Sequence, residues 1–191
     1  MGRTDYIYFI IDVSNSMRGA KLGSVNDAIH NTIHRLKKVV NNSALDIKLV
    51  VMTFAKDVTW SGVLPVSLNA FVFEDLCVEA CESAFGKALG ELDEKLLRQE
   101  AVWSQAGETT ILLFSDGLST DDYDSQIKKL YRNKIFMEAN RIAFTYGSAI
   151  YNLIKEPLCA FAGKESNIVI DDFITLDKML LERYRQVNNN G

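Results

Sequence analysis

Proline and cysteine are scarce in this chain, with two and three among 191 residues, and basic charge is not in excess. Each shortage excludes something. Lys and Arg number 21 against 25 Asp and Glu, for a formal charge of −4. Such a chain lacks the basic face through which counterion release drives nucleic-acid binding. No apolar run approaches the roughly 20 residues that span a bilayer. Met1 to Asp5 lead straight into a strand-like run, without a charged and then apolar leader, so no secretion signal is expected. Gly2 fits only the start of a myristoylation motif, because Tyr6 stands where Ser or Thr is required. The cysteines, Cys77, Cys81 and Cys159, form no regular framework, which suggests reduced thiols and a cytoplasmic protein. Cys77 and Cys81 lie four apart and would share a helix face. No further ligands stand nearby for zinc, so buried structural thiols are expected. The two histidines, His30 and His34, have metal-ligand spacing but no acidic partner of the zincin kind, and are read as helix-surface residues.

What is present is apolar and periodic. Hydrophobic residues make up 48% of the chain, enough to bury a substantial core. Residues 6–12 are apolar on both faces and end in a carboxylate, as a central strand covered on both sides would. Val25, Ile29, Ile33 and Leu36 make one stripe of a helix over about 20–40. Strands are expected at 46–54 and 57–61, the latter turning back on the former. Residues 62–81 show no clear pattern. A helix over 84–101, a loop at 105–107 and a buried strand at 109–115 follow. A helix at 121–133, a strand at 141–146, a helix at 149–162, a short strand at 167–170 and a helix at 173–187 complete the series. Strands alternating with helices imply an α/β fold: a three-layer, Rossmann-like, mostly parallel sheet with one short antiparallel edge strand and helices on both faces. The expected organisation is one domain over 1–187 with a polar tail at 188–191. Such sheets bind ligands beyond the carboxyl ends of their strands, where Asp12 and Asp116 both stand.

At the first of those ends, Asp12, Ser14 and Ser16 alternate. One carboxylate and two hydroxyls are a hard, all-oxygen set suited to Mg²⁺. Taken alone the pattern is also that of a turn, and Ser16 could cap the next helix. Asp116 follows the strand at 109–115. If the two strands are neighbours, the two carboxylates would repel unless a cation lay between them.

The run Phe9-Ile10-Ile11-Asp12-Val13-Ser14-Asn15-Ser16-Met17, the later Leu112-Leu113-Phe114-Ser115-Asp116-Gly117, and the order of elements between them resemble the von Willebrand factor A domain. More narrowly, the chain looks like the short bacterial cytosolic members associated with tellurium resistance, the TerY type. The resemblance implies a metal-ion-dependent adhesion site, usually holding Mg²⁺ (Mn²⁺ or Ca²⁺ being alternatives), with an acidic residue of a protein partner completing the coordination. It implies Asp12, Ser14, Ser16 and Asp116 as ligands. The family's fifth ligand is a threonine in a Gly-Gly-Thr-like loop before a Gly-x-Ala-Leu helix. Here the helix is Gly86-Lys87-Ala88-Leu89 and the loop reads Ala80-Cys81-Glu82-Ser83. Ser83 keeps the hydroxyl, but Cys81 and Glu82 replace the glycines, so Ser83 either coordinates or only caps the helix. Glu82 could reach the site and take the place of the partner's carboxylate. Asn15, Met17, Glu82 and Gly117 would form the partner-facing rim. A kinase and a PP2C-like phosphatase are the partners that the TerY likeness implies.

Other assignments are weighed beside these. The acidic run Thr120-Asp121-Asp122-Tyr123-Asp124 is read as a capped, solvated helix start. Trp60, Phe71 and Phe73 are read as core or strand-edge packing. A Mg²⁺-dependent phosphatase is the enzymatic alternative, but Ser14 stands where a second Asp is expected. No His and no obvious phosphate-binding Lys accompanies the motif, and no Gly-rich phosphate loop appears. A metal-free scaffold with a degenerate site is the third reading.

Overall fold

The computed structural model describes residues 3–40, 45–100, 106–148 and 151–189. Its strands are β1 (Thr4–Asp12), β2 (Asp46–Phe54), β3 (Val58–Trp60), β4 (Val66–Ser67), β5 (Ala106–Phe114), β6 (Asn140–Thr145) and β7 (Ile168–Ile170). Its helices are α1 (Ala20–Val40), α2 (Phe85–Glu100), α3 (Tyr123–Leu130), α4 (Lys134–Glu138), α5 (Tyr151–Ala162) and α6 (Ile174–Asn189). The strands make one sheet in the order β3-β2-β1-β5-β6-β7, with β4 also on β2. β2, β1, β5, β6 and β7 run parallel, while β3 and β4 are antiparallel to β2. This is the Rossmann-like architecture expected from the alternation of strand and helix.

Strand alternation divides the core into two layers. Ile7, Phe9 and Ile11 of β1 face α1 and α6, and Tyr6, Tyr8 and Ile10 face α2 to α5. Both faces of β1 are buried, which is why its sequence is an unbroken apolar run. On the α6 side, Phe9, Phe114, Phe144 and Phe173 stack in sequence across β1, β5 and β6. Their burial, about 1.5–3 kcal/mol for each large apolar side chain, docks α6 onto the sheet. Phe71 and Phe73 are buried in the same layer.

Several local expectations are corrected. The helix expected over 121–133 is shorter, Tyr123–Leu130, and the separate helix α4 follows it, capped by Asn133, whose side chain accepts from Phe136 N–H. The expected short antiparallel edge strand is β3, and a further two-residue segment, β4, joins β2 where the chain returns after Pro65. Cys77 and Cys81 lie outside any helix and are exposed, so they are not buried structural thiols. Ala106 and Gly107 belong to β5, while residue 105 lies outside the described residues. A Cβ at Gly107 would stand 2.1 Å from Asp5 Oδ1, so any other residue here must push the Asp5 and Arg3 side chains aside. The chain is still helical at 188 and 189, where the polar tail was expected to begin, and residues 190 and 191 lie outside the described set.

Asp171 ties the end of β6 to the segment after β7. It alone among described non-glycine residues has positive φ, at 55°. Its carboxylate accepts from Gly147 N–H at 2.9 Å and Ser148 N–H at 3.0 Å. These bonds, Gly147 first, hold the carboxyl below its ordinary range. Asp171→Ala should lower stability by about 1–2 kcal/mol, losing two bonds and a residue tolerant of the left-handed region. Because the folded pKa is depressed, this contribution is complete above the ordinary carboxylate value and is lost as pH falls through the lowered one. Urea midpoints of wild type and variant should therefore differ most at neutral pH, and the gap should narrow as the carboxylate is protonated in acid.

Candidate metal centre

β1 connects through α1 to β2 on one side, while β5 lies on its other side, so strand order reverses between β1 and β5. A crevice forms beyond the carboxyl ends of strands at such a reversal. Ile11 of β1 is level with Phe114 of β5, so Asp12 and Ser115–Asp116 leave the sheet side by side. Asp12, Ser14, Ser83, Ser115 and Asp116 are all buried there.

Asp12 is the hub. Its Oδ1 accepts from Ser14 N–H at 2.9 Å. Its Oδ2 accepts from the hydroxyls of Ser83 at 3.0 Å and Ser115 at 2.9 Å. Ser14 Oγ and Ser16 Oγ lie 3.1 Å apart, so Ser16 faces this cluster and does not cap α1. Burial pushes the Asp12 carboxyl up, and hydrogen bonds from Ser14, Ser115 and Ser83 pull against it. Asp116 Oδ1 accepts from Leu118 N–H at 3.4 Å, and its Oδ2 accepts from the Lys21 ammonium at 2.8 Å.

The loop without glycines still delivers Ser83. Its backbone runs as a short ladder beside the first loop: Glu79 N–H donates to Val13 C=O, Asn15 N–H donates to Ala80 C=O, and Ser14 pairs with Ala80. Ala84 N–H then bonds Ala55 C=O at the end of β2. Ser83 N–H donates to Thr120 Oγ1 and Thr120 N–H to Ser83 C=O. Neither Cys81 nor Glu82 has positive φ, so this path does not require glycine. Both are exposed on its outer side. Ser83 does not cap α2. Asp121 does so from the loop after β5, accepting from Gly86 and Lys87 N–H at 2.7 and 2.9 Å. Asp122 caps α3 by accepting from Ser125 N–H.

Of the expected rim, Asn15 and Glu82 are exposed and Gly117 is half-buried. Met17 is not on the rim: it is fully buried in the core beneath α1. Sequence reasoning passed over three residues of the site: Lys21, Thr120 and Ser115. Ser115 had a signal, since it immediately precedes Asp116 at a strand end. Lys21 is a lysine beside the motif, paired with Asp116.

The donor set fits a hard divalent cation. One carboxylate and three serine hydroxyls are linked where strand order reverses, Asp116 leaves the neighbouring strand end beside them, and burial already destabilises the charge on Asp12. Among the described residues no three His, Cys, Asp or Glu side chains are grouped to hold a metal. A nitrogen- or sulfur-rich zinc site is therefore not what these residues build, and any site here takes most of its oxygens from hydroxyls.

A sequence model of the von Willebrand factor type A domain matches residues 7–178. No curated protein matches the chain in sequence. Among solved structures, the chain is similar to the pilus adhesin SpaC from Lactobacillus rhamnosus GG in its open conformation. The TM-score is 0.66 at 10% identity, over 100% of this chain and 30% of that one. It is similar to proximal thread matrix protein 1 from the mussel byssus with a zinc-occupied MIDAS motif, with TM-score 0.59, 16% identity and coverage of 97% and 46%. It is also similar to VWA2, an ArnB paralog from Sulfolobus acidocaldarius, with TM-score 0.56, 17% identity and coverage of 95% and 45%. The chain spans less than half the length of each, and at these identities the likeness is one of fold.

Proposed function

Because the chain belongs to the von Willebrand factor type A domain family, we propose that it is a metal-ion-dependent protein-binding module and not an enzyme. The observation that carries this reading is the convergence of Asp12, Ser14, Ser16 and Ser83 on one hydrogen-bonded cluster beside Asp116. These five residues would hold the ion. Bound there, a divalent cation supplies a directional, charge-assisted attachment for a carboxylate of a protein partner. The protein's part is rigidity. Asp12 is fixed by three donors, Ser83 by Thr120, and the Ser83 loop by its ladder to the first loop. Mg²⁺ suits the single full charge on Asp12 joined to neutral hydroxyls, with Asp116 as the second carboxylate.

The finer reading is a TerY-type cytosolic scaffold in tellurite-resistance or stress signalling, with a kinase and a PP2C-like phosphatase as partners. It is supported by the Asp12-x-Ser14-x-Ser16-Met17 run paired with Ser115-Asp116-Gly117. Three unbridged cysteines agree with a reducing compartment. No helix among the described residues is long and apolar enough to cross a membrane.

The phosphatase alternative gains one feature, Lys21 beside Asp116. It still lacks a carboxylate at position 14 to serve as acid and base. Calorimetric titration of Mg²⁺ into the wild-type chain tests the proposal, with saturable binding expected. Silence with Mg²⁺, Mn²⁺ and Zn²⁺ alike would make the fold a metal-free scaffold. Asp12-dependent turnover of a phosphate ester would make it an enzyme.

A further inference from the structure

One ligand oxygen in this site already has a cation against it. Lys21 Nζ stands 2.8 Å from Asp116 Oδ2, and the Asp116 side chain is only 1% exposed. We propose that Lys21 is a resident counter-cation that competes with the divalent ion for Asp116, so that its displacement sets the affinity of the site. The inference rests on the metal-site reading above.

Three observations converge on it. First, Lys21 is the second residue of α1, and the first turn of that helix contains no acidic residue. A helix N-terminus carries partial positive charge and disfavours lysine there. What compensates this lysine lies outside the helix, on Asp116. Second, the backbone at Lys21 is pinned, because its carbonyl accepts from the Tyr146 hydroxyl at 2.8 Å. Exchange of cations is therefore a movement of the side chain alone, and that side chain is 34% exposed, with solvent to move into. Third, a second carboxylate lies within electrostatic reach. The charge of Lys21 favours the ionised form of Asp171, which is itself exposed. An ammonium leaving Asp116 has a carboxylate to move towards.

A buried carboxylate needs an opposite charge, and either cation can supply it. With Lys21 present, the ion must displace an ammonium to reach Asp116 and is repelled by it while it remains close. Without Lys21, Asp116 depends on the ion alone. Removing a positively charged residue that touches the site should therefore improve binding of a cation well beyond the loss of general charge repulsion.

Calorimetric titration of Mg²⁺ into wild type, Lys21→Met and Lys21→Arg decides it. Lys21→Met should bind Mg²⁺ at least about tenfold more tightly, and Lys21→Arg should stay near wild type. As a second readout, thermal unfolding of Lys21→Met should show a lower Tm than wild type without Mg²⁺ and a larger rise when Mg²⁺ is added. Equal or weaker Mg²⁺ binding by a folded Lys21→Met, beside a saturable wild-type isotherm, overturns this inference and leaves the metal site standing. Absence of Mg²⁺ binding by both wild type and Lys21→Met overturns both. Binding by Lys21→Met where wild type shows none supports both.

Discussion

Asp12→Ala should abolish saturable Mg²⁺ binding, a loss of at least about a hundredfold in affinity. The size follows from the position of Asp12. It is fully buried and accepts from the Ser14 amide and from the Ser83 and Ser115 hydroxyls at once. Removing the carboxylate takes away a ligand and also releases the two hydroxyls and the loop amide it orients. The stability effect is smaller because two terms oppose. Three buried donors lose their acceptor, at about 1–3 kcal/mol for each one left unsatisfied. Against this, a carboxyl that burial pushes up is no longer held in the interior. Asp12→Asn separates folding from binding, since it keeps the shape and one acceptor oxygen but not the charge. It should fold like wild type and still fail to bind. A wild-type Mg²⁺ isotherm from Asp12→Asn would remove this aspartate from the site and with it the centre of the functional proposal.

Gly86→Ala should produce a large loss of stability, about 2–3 kcal/mol. On propensity alone alanine should help, by about 1 kcal/mol in a helix. Space decides the other way. A Cβ on Gly86 would stand 2.4 Å from Asp122 C=O oxygen, 2.7 Å from its carbonyl carbon and 3.0 Å from Tyr123 N. All three are backbone atoms, so no rotamer change relieves the contact and the loop after β5 must move. That loop carries Asp121, which caps α2, and Thr120, which holds Ser83 from both its N–H and its carbonyl. Gly86→Ala should therefore also weaken Mg²⁺ binding, although Gly86 touches no metal ligand in the proposed set. Urea denaturation and Mg²⁺ titration of the same variant check both parts. A variant as stable as wild type would mean that the loop yields freely, and the link from Asp121 to Ser83 would then carry no weight.

The strands that bear the site were legible because each is apolar on both faces and ends in a carboxylate. A strand-end carboxylate is a local sequence feature, and so is the alternation of Asp12, Ser14 and Ser16. Helices α1 and α2 were legible for the same kind of reason, one buried stripe at helical spacing. Met17 was misread because the motif continues through it: sequence adjacency to Asn15 and Ser16 says nothing about the direction of a side chain in a 3-10 turn, and the turn at Asn15–Met17 sends Met17 into the core. Cys77 and Cys81 were misread because four-residue spacing implies a shared face only if a helix exists. The segment between β4 and α2 is irregular and held by its ladder to the first loop.

Ser83 and Lys21 mark the boundary most clearly. The amino-acid sequence by itself determined the α/β layering, the two strand-end aspartates and the hydroxyls that accompany the first of them, because all of these depend on short-range periodicity. It left Ser83 open between ligand and cap, and it offered no sign that Lys21 faces Asp116 across 95 positions of chain. The tertiary structure excluded the cap, set the Ser83 hydroxyl on Asp12, and alone brought Lys21 to Asp116. Strand order placed β5 beside β1, the Glu79–Ala80 ladder brought Ser83 onto Asp12, and Asp121 supplied the cap that freed the Ser83 hydroxyl to point inward. Contacts between residues far apart in the chain are selected by the packing of whole elements, and no local pattern encodes them.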